Sequence, residues 1–159
     1  MLMRIAVGSD HAGFELKQTI CGHLDGAGHT VIDVGTDGTD SVDYPDFGAA
    51  VGRTVAGGDA DLGIAVCGSG IGICIAANKI SGIRAATVHD VTSARLSRQH
   101  NNANVMCVGQ RLIGSEVAVD AVAAFVASSF DGGRHARRVD KITQLEHEQV
   151  EHEQPEDTF

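Results

Sequence analysis

No apolar run in this chain reaches the roughly 18 residues that a membrane-spanning helix needs. The N-terminal MLMRIAVGSDH holds an apolar stretch too short for the core of a secretory signal, so a cytoplasmic setting is expected. The four cysteines, Cys21, Cys67, Cys74 and Cys107, form no C-x-x-C pair and show no zinc-ligand spacing. That pattern suits free thiols in a reducing compartment. Positive charge is scarce as well: 12 Lys and Arg stand against 21 Asp and Glu, for a net charge of −9. The balance argues against nucleic acid and against an anionic membrane as partners. Six of the acids fall in residues 144–159, which have no Lys or Arg, so the body before them is nearly balanced.

Nucleotide signatures are missing too. There is no G-x-x-x-x-G-K-[ST] loop, and the glycine-rich AVCGSGIG at 65–72 fails the dinucleotide spacing. A G-x-G-x-x-G count from Gly68 ends on Ile73, and one from Gly70 ends on Ile75.

What is present is an alternation of short apolar runs and helical segments. Strands are predicted at 4–8, 30–35, 61–68, 83–88 and 103–109. Helices are predicted over 14–28, 47–58, from the glycine turn through 80, 90–102, 115–130 and 137–149. Near-continuous apolar strands, each followed by a helix, imply a parallel sheet covered on both faces. The expected fold is a single doubly wound, Rossmann-like α/β domain with a five-stranded parallel sheet. Ligands of such sheets gather beyond the carboxyl ends of the strands. Those ends carry Ser9-Asp10-His11, Thr36-Asp37, Cys67 to Gly72, His89-Asp90 and Gly109-Gln110-Arg111.

Within that crevice, the turn after the third strand can present backbone N–H groups to an anionic oxygen. Cys67 is either a small buried hydrophobe or a thiolate favoured by that turn. Asp10 reads as a helix N-cap that is also free to meet a ligand. His100, ending a predicted helix, reads equally as a C-terminal cap and as a functional imidazole. Arg134 and Arg138 stand four apart in GGRHARR, the spacing of a phosphate clamp or of a solvated helix face. His147 and His152 are five apart and do not share a helix face, so no metal site is expected in the tail.

Taken in order, SDHAGFELK, the D-Y-P at 43–45, CGSGIG followed by IAANK, SRQHNN and GGRHARR resemble the ribose-5-phosphate isomerase B family of the ribose/galactose isomerases. The resemblance runs from residue 4 to about 146. It implies a sugar-phosphate isomerase domain over 1–146 and an acidic, flexible extension over 147–159. It implies an aldose–ketose isomerase acting on D-ribose 5-phosphate and D-ribulose 5-phosphate through a cis-enediolate, with no metal and no cofactor. It also implies a homodimer, sometimes paired into a tetramer, with active sites shared across the interface.

By the same resemblance, Cys67 is the base that moves a proton between C1 and C2. Ser69 and the amides of Gly68, Gly70, Ile71 and Gly72 stabilise the enediolate oxygen. His100 with Asp10 opens the furanose ring, and Asn101 holds sugar oxygens. His11, Arg111, Arg134 and Arg138 receive the phosphate, some of them from the partner subunit, and Tyr44 lines the pocket. One branch of the family places a glutamate where this chain has Ile73, which takes no proton, so the chain resembles the cysteine-base branch. Two alternatives stand beside this reading: an isomerase of allose 6-phosphate or galactose 6-phosphate, and a non-catalytic sugar-phosphate-binding module.

Overall fold

The first apolar run, Arg4–Ser9, forms β1, and every residue after Arg4 is buried. In the computed structural model, which describes residues 1–152 and side-chain burial through residue 148, the other strands follow the same logic. They are β2 (Thr30–Asp33), β3 (Leu62–Cys67), β4 (Ala85–Thr87) and β5 (Val105–Gly109). The helices are α1 (Phe14–Gly26), α2 (Tyr44–Ala56), α3 (Ile71–Ala77), α4 (Val91–Asn101), α5 (Ser115–Ala127) and α6 (Arg134–His152). A single 3-10 turn, His11–Gly13, joins β1 to α1.

All five strands are parallel, in the order β2-β1-β3-β5-β4. One face of the sheet meets Leu16, Ile20 and Leu24 of α1, Ala94 of α4 and Ala118, Ala121, Val122 and Phe125 of α5. The opposite face meets Val51 of α2 and Ile73, Cys74 and Ala77 of α3. Strands buried on both faces explain why β3 and β5 are apolar at every position instead of alternating. The doubly wound five-stranded fold expected from the apolar pattern is the one observed.

Several boundaries differ from expectation for local reasons. Helix α2 starts at Tyr44, not residue 47, because Pro45 sits in its first turn, where a missing N–H costs nothing. Helix α5 ends at Ala127, short of 130, and the chain reverses through Gly132 and Gly133, both at positive φ. Helix α6 therefore starts at Arg134, three residues before the expected 137, and runs on through His152. The expected flexible extension thus begins as helix over 147–152, and its remainder, 153–159, lies outside the described residues. Among the described residues, no helix is long and apolar enough to cross a membrane.

The chain winds to one side after β1 and to the other before β3, so the topological switch lies between these neighbours. Their carboxyl ends carry Asp10 and Cys67, and the switch point is where open α/β sheets hold ligands.

Candidate active site

Strand β3 runs out at Cys67, whose side chain is buried at 4% exposure. The next three residues turn sharply, and the backbone N–H of Gly70 donates to the Cys67 Sγ at 3.1 Å. Residue 70 has φ +75, and a Cβ there would stand 2.7 Å from the Val108 carbonyl carbon, so only glycine fits. The turn is tied to the end of β5 by Gln110 N–H to Cys67 O and Arg111 N–H to Gly68 O, each 3.0 Å. From β4, the Thr87 hydroxyl donates to Gly70 O at 3.3 Å.

This geometry refines the expected amide cradle. The Ile71 N–H donates to Ser69 Oγ at 3.2 Å, and the Gly70 N–H serves the sulfur, so these two amides already hold the turn. Helix α3 has only 7 residues. The Cys67 sulfur thus meets one directed N–H and not the end of a long helix.

Across the switch point, Asp10 Oδ1 accepts from the Gly13 N–H at 3.1 Å and caps the 3-10 turn, as its N-cap position predicts. The His11 ring sets Nδ1 against Val42, 3.1 Å from its nitrogen and 3.2 Å from its carbonyl oxygen. Tyr44 opens α2 and lays its ring on Gly72, where a Cβ would lie 2.6 Å from the ring carbons. The Arg111 guanidinium covers Gly68 in the same way, 3.2 Å from a Cβ built there. Together these side chains line an open cavity of about 620 Å³ with Ser69, Ile71, Ile75 and Leu112. That volume suits a phosphorylated sugar.

The remaining expected residues lie elsewhere. A helix between parallel strands runs back against them, so α4 starts beyond the carboxyl end of β4 and delivers His100 and Asn101 to the amino end of β5. Helix α5 returns to that same end, and α6 starts there with Arg134 and Arg138 in its first turns. The Asp131 N–H bonded to Gln99 O at 3.0 Å holds the two helix ends together. His100, Asn101, Arg134 and Arg138 are thus gathered at one end of the sheet, and Asp10, His11, Tyr44, Cys67 to Gly72 and Arg111 at the other. The expected site residues therefore fall into two groups at opposite ends of the sheet.

In the second group the rings of His100 and His135 stack with centroids 4.2 Å apart and planes 7° from parallel. Desolvation, His100, Arg134 and Arg138 hold the His135 pKa below the ordinary imidazole value, against an opposing pull from Asp131. Donor atoms of His100, Asp131 and His135 lie within 4.8 Å of one another. The near-parallel rings hold their lone pairs in separate planes, so as they stand they do not converge on one ion. Sequence reasoning passed over His135, because its partner is remote in the chain.

It also passed over Lys17, whose side chain is 1% exposed, with Nζ 2.6 Å from Asp33 Oδ2 and donating to Thr36 O at 2.8 Å. A lysine beside apolar Leu16 reads as outward-facing, and only the fold brings Asp33 to meet it. Of the other cysteines, Cys74 and Cys107 are buried and Cys21 is half-buried. Cys74 and Cys107 share a hydrogen bond that pulls the Cys74 thiol down to about 6 and pushes Cys107 up. Burial raises Cys21 to about 11.

With this geometry in hand, known proteins provide a comparison. A family profile described as Ribose/Galactose Isomerase matches residues 5–142. The ribose-5-phosphate isomerase B of Escherichia coli is 48% identical over 145 residues, covering 91% of this chain and 97% of the relative. The structure of Clostridium thermocellum ribose-5-phosphate isomerase B superposes with TM-score 0.91 at 49% identity, covering 92% of this chain and 99% of the other. That of Mycoplasma genitalium ribose-5-phosphate isomerase B with bound ribulose-5-phosphate gives TM-score 0.87 at 43% identity, covering 91% and 97%.

Proposed function

This chain belongs to the ribose/galactose isomerase family, and from that premise we propose that it interconverts D-ribose 5-phosphate and D-ribulose 5-phosphate. The observation that carries the chemistry is the Cys67 sulfur on the wall of the cavity, with the Gly70 N–H aimed at it. Aldose–ketose isomerisation moves one proton between adjacent carbons, so it needs one base and a place for the oxyanion. Cys67 as thiolate takes the proton from C2 of the open-chain aldose and returns it to C1. The electron pair passes through a cis-enediolate, whose oxygen is met by the Ser69 hydroxyl, and the proton on O2 passes to O1 as the ketone forms. His11 and Arg111 bind the phosphate at the far side of the cavity.

Ring opening must come first, because the pentose phosphate rests as a furanose. Asp10 takes the O1 proton, and His100 protonates the ring oxygen, with Asn101 holding a sugar hydroxyl. His100, Asn101, Arg134 and Arg138 come from a second copy of the chain, since one protomer carries them at the opposite end of its sheet. The apolar rim supports such pairing: Tyr44, Ile71, Ile75 and Leu112 are each between 42% and 58% exposed around the cavity mouth. The unit of function is a homodimer of domains spanning 1–146, working in the cytoplasm. The six-carbon and non-catalytic readings have less support, because the relatives named above are ribose-5-phosphate isomerases.

The test is isomerisation in D₂O. Wild-type protein incorporates deuterium at the migrating position, and Cys67→Ala loses both incorporation and turnover while still binding inorganic phosphate. Turnover that persists in Cys67→Ala assigns the base elsewhere.

A further inference from the structure

His135 has no place in the mechanism just given, yet it is buried at 8% exposure and stacked flat on a residue that does. The two rings come from opposite kinds of helix end. His100 lies in the last turn of α4. His135 lies in the first turn of α6, where the helix end and the flanking Arg134 and Arg138 disfavour a protonated imidazole. Asp131, in the loop before α6, is the acidic group facing the pair. The Arg134 Nε–H points at His135 Nε2, 3.5 Å away. The result is a neutral, flat ring pressed against the face of His100. Neither ring nitrogen of His100 is consumed by a stack, so both stay free for proton transfer.

We propose that His135 is a positioning residue for His100, its stacked ring holding the imidazole in the orientation that delivers the ring-opening proton. The inference rests on the role given to His100 above. A proton donor on a side chain with two rotatable bonds transfers efficiently only when held within hydrogen-bond reach of its target. The stack removes that freedom by contact with the ring face alone. A flat apolar ring should therefore replace His135, and a methyl group should not.

The substrates supply a readout that general damage to the fold would not mimic. Ribose 5-phosphate closes through O4 and must be opened. Ribulose 5-phosphate would need O5 to form a furanose, and O5 carries the phosphate, so it is always open. Exchange of its C1 proton with solvent therefore requires the Cys67 group of residues and not the ring-opening step. The experiment measures ribose 5-phosphate isomerisation and C1 deuterium exchange into ribulose 5-phosphate, on full-length His135→Ala, His135→Phe and His100→Asn.

The expected result is a drop in kcat for isomerisation of at least about 10-fold in His135→Ala. Exchange in that variant stays within about twofold of wild type, and His135→Phe recovers most of the lost isomerisation. Wild-type isomerisation in His135→Ala, exchange lost in parallel with it, or a His135→Phe no better than His135→Ala would each overturn the proposal. The His100→Asn arm separates the two layers. If it isomerises normally, the ring-opening role of His100 is what has failed; if it alone is impaired, the stacking inference has.

Discussion

Gly70 and Cys67 are joined by a 3.1 Å bond from backbone N–H to sulfur, made from a left-handed residue pressed against β5. Both the φ of +75 and the 2.7 Å approach to Val108 forbid a side chain at this position. Gly70→Ala should therefore lower kcat by about 100-fold through misplacement of the thiol. It should also cost roughly 1–3 kcal/mol of stability through backbone strain. Steady-state kinetics beside a thermal melt measure the two effects. An alanine variant with native turnover would show that the bond is incidental to the chemistry.

The proposed sharing of the site between two copies makes a sharper demand on assembly. Cys67→Ala and His100→Asn should each be inactive alone, because each homodimer carries the same defect in both sites. After mixing and subunit exchange, half of the dimers are mixed, and each of those has one intact and one doubly defective site. Activity should recover to about one quarter of wild type for a symmetric dimer. Absence of any recovery under conditions where exchange is demonstrated by mass would place both residues in a single-protomer site.

Lys17 is the charged side chain most completely enclosed, and it holds the end of β2 through Asp33 and the Thr36 carbonyl. Truncating it leaves a cavity and an unpaired carbonyl, though Asp33, with its side chain 41% exposed, can turn to water. Lys17→Ala should destabilise by about 3 kcal/mol. Denaturant unfolding measures this, and a loss within experimental error of zero would mean that the ion pair is dispensable.

The depressed His135 pKa has a signed consequence for stability. Below the ordinary value of 6.5 the unfolded chain takes a proton that the folded chain resists. Stability from this group is therefore complete at pH above that value and declines as the pH falls past it. Melting temperatures should fall between pH 7.5 and pH 5, and His135→Phe should flatten part of that slope. An unchanged slope in the phenylalanine variant would remove His135 as its source.

Much of the molecule could be read without coordinates because parallel strands buried on both faces leave a strong mark. Runs such as Leu62–Cys67 are apolar throughout, and the helices between them follow from their spacing. The placement of Asp10, Cys67 and Arg111 around one crevice followed from their positions at the carboxyl ends of predicted parallel strands. Boundaries were less legible, since Pro45 reads as a breaker although it is at home in a first turn. Long-range polar pairing was not legible at all. Lys17 meets Asp33 across a helix and a strand, and His135 meets His100 across α5, with no local pattern to announce either contact. The division of site residues between two ends of the sheet depends on the direction in which α4 and α6 run, which a motif comparison leaves out.

The shared site proposed above ties reaction rate to molecularity. Once the protein is dilute compared with the dissociation constant of its dimer, competent sites accumulate as the square of the protein concentration. Specific activity then halves with each twofold dilution. The apolar rim formed by Tyr44, Ile71, Ile75 and Leu112 thus governs an apparent rate constant, although none of the four carries a proton.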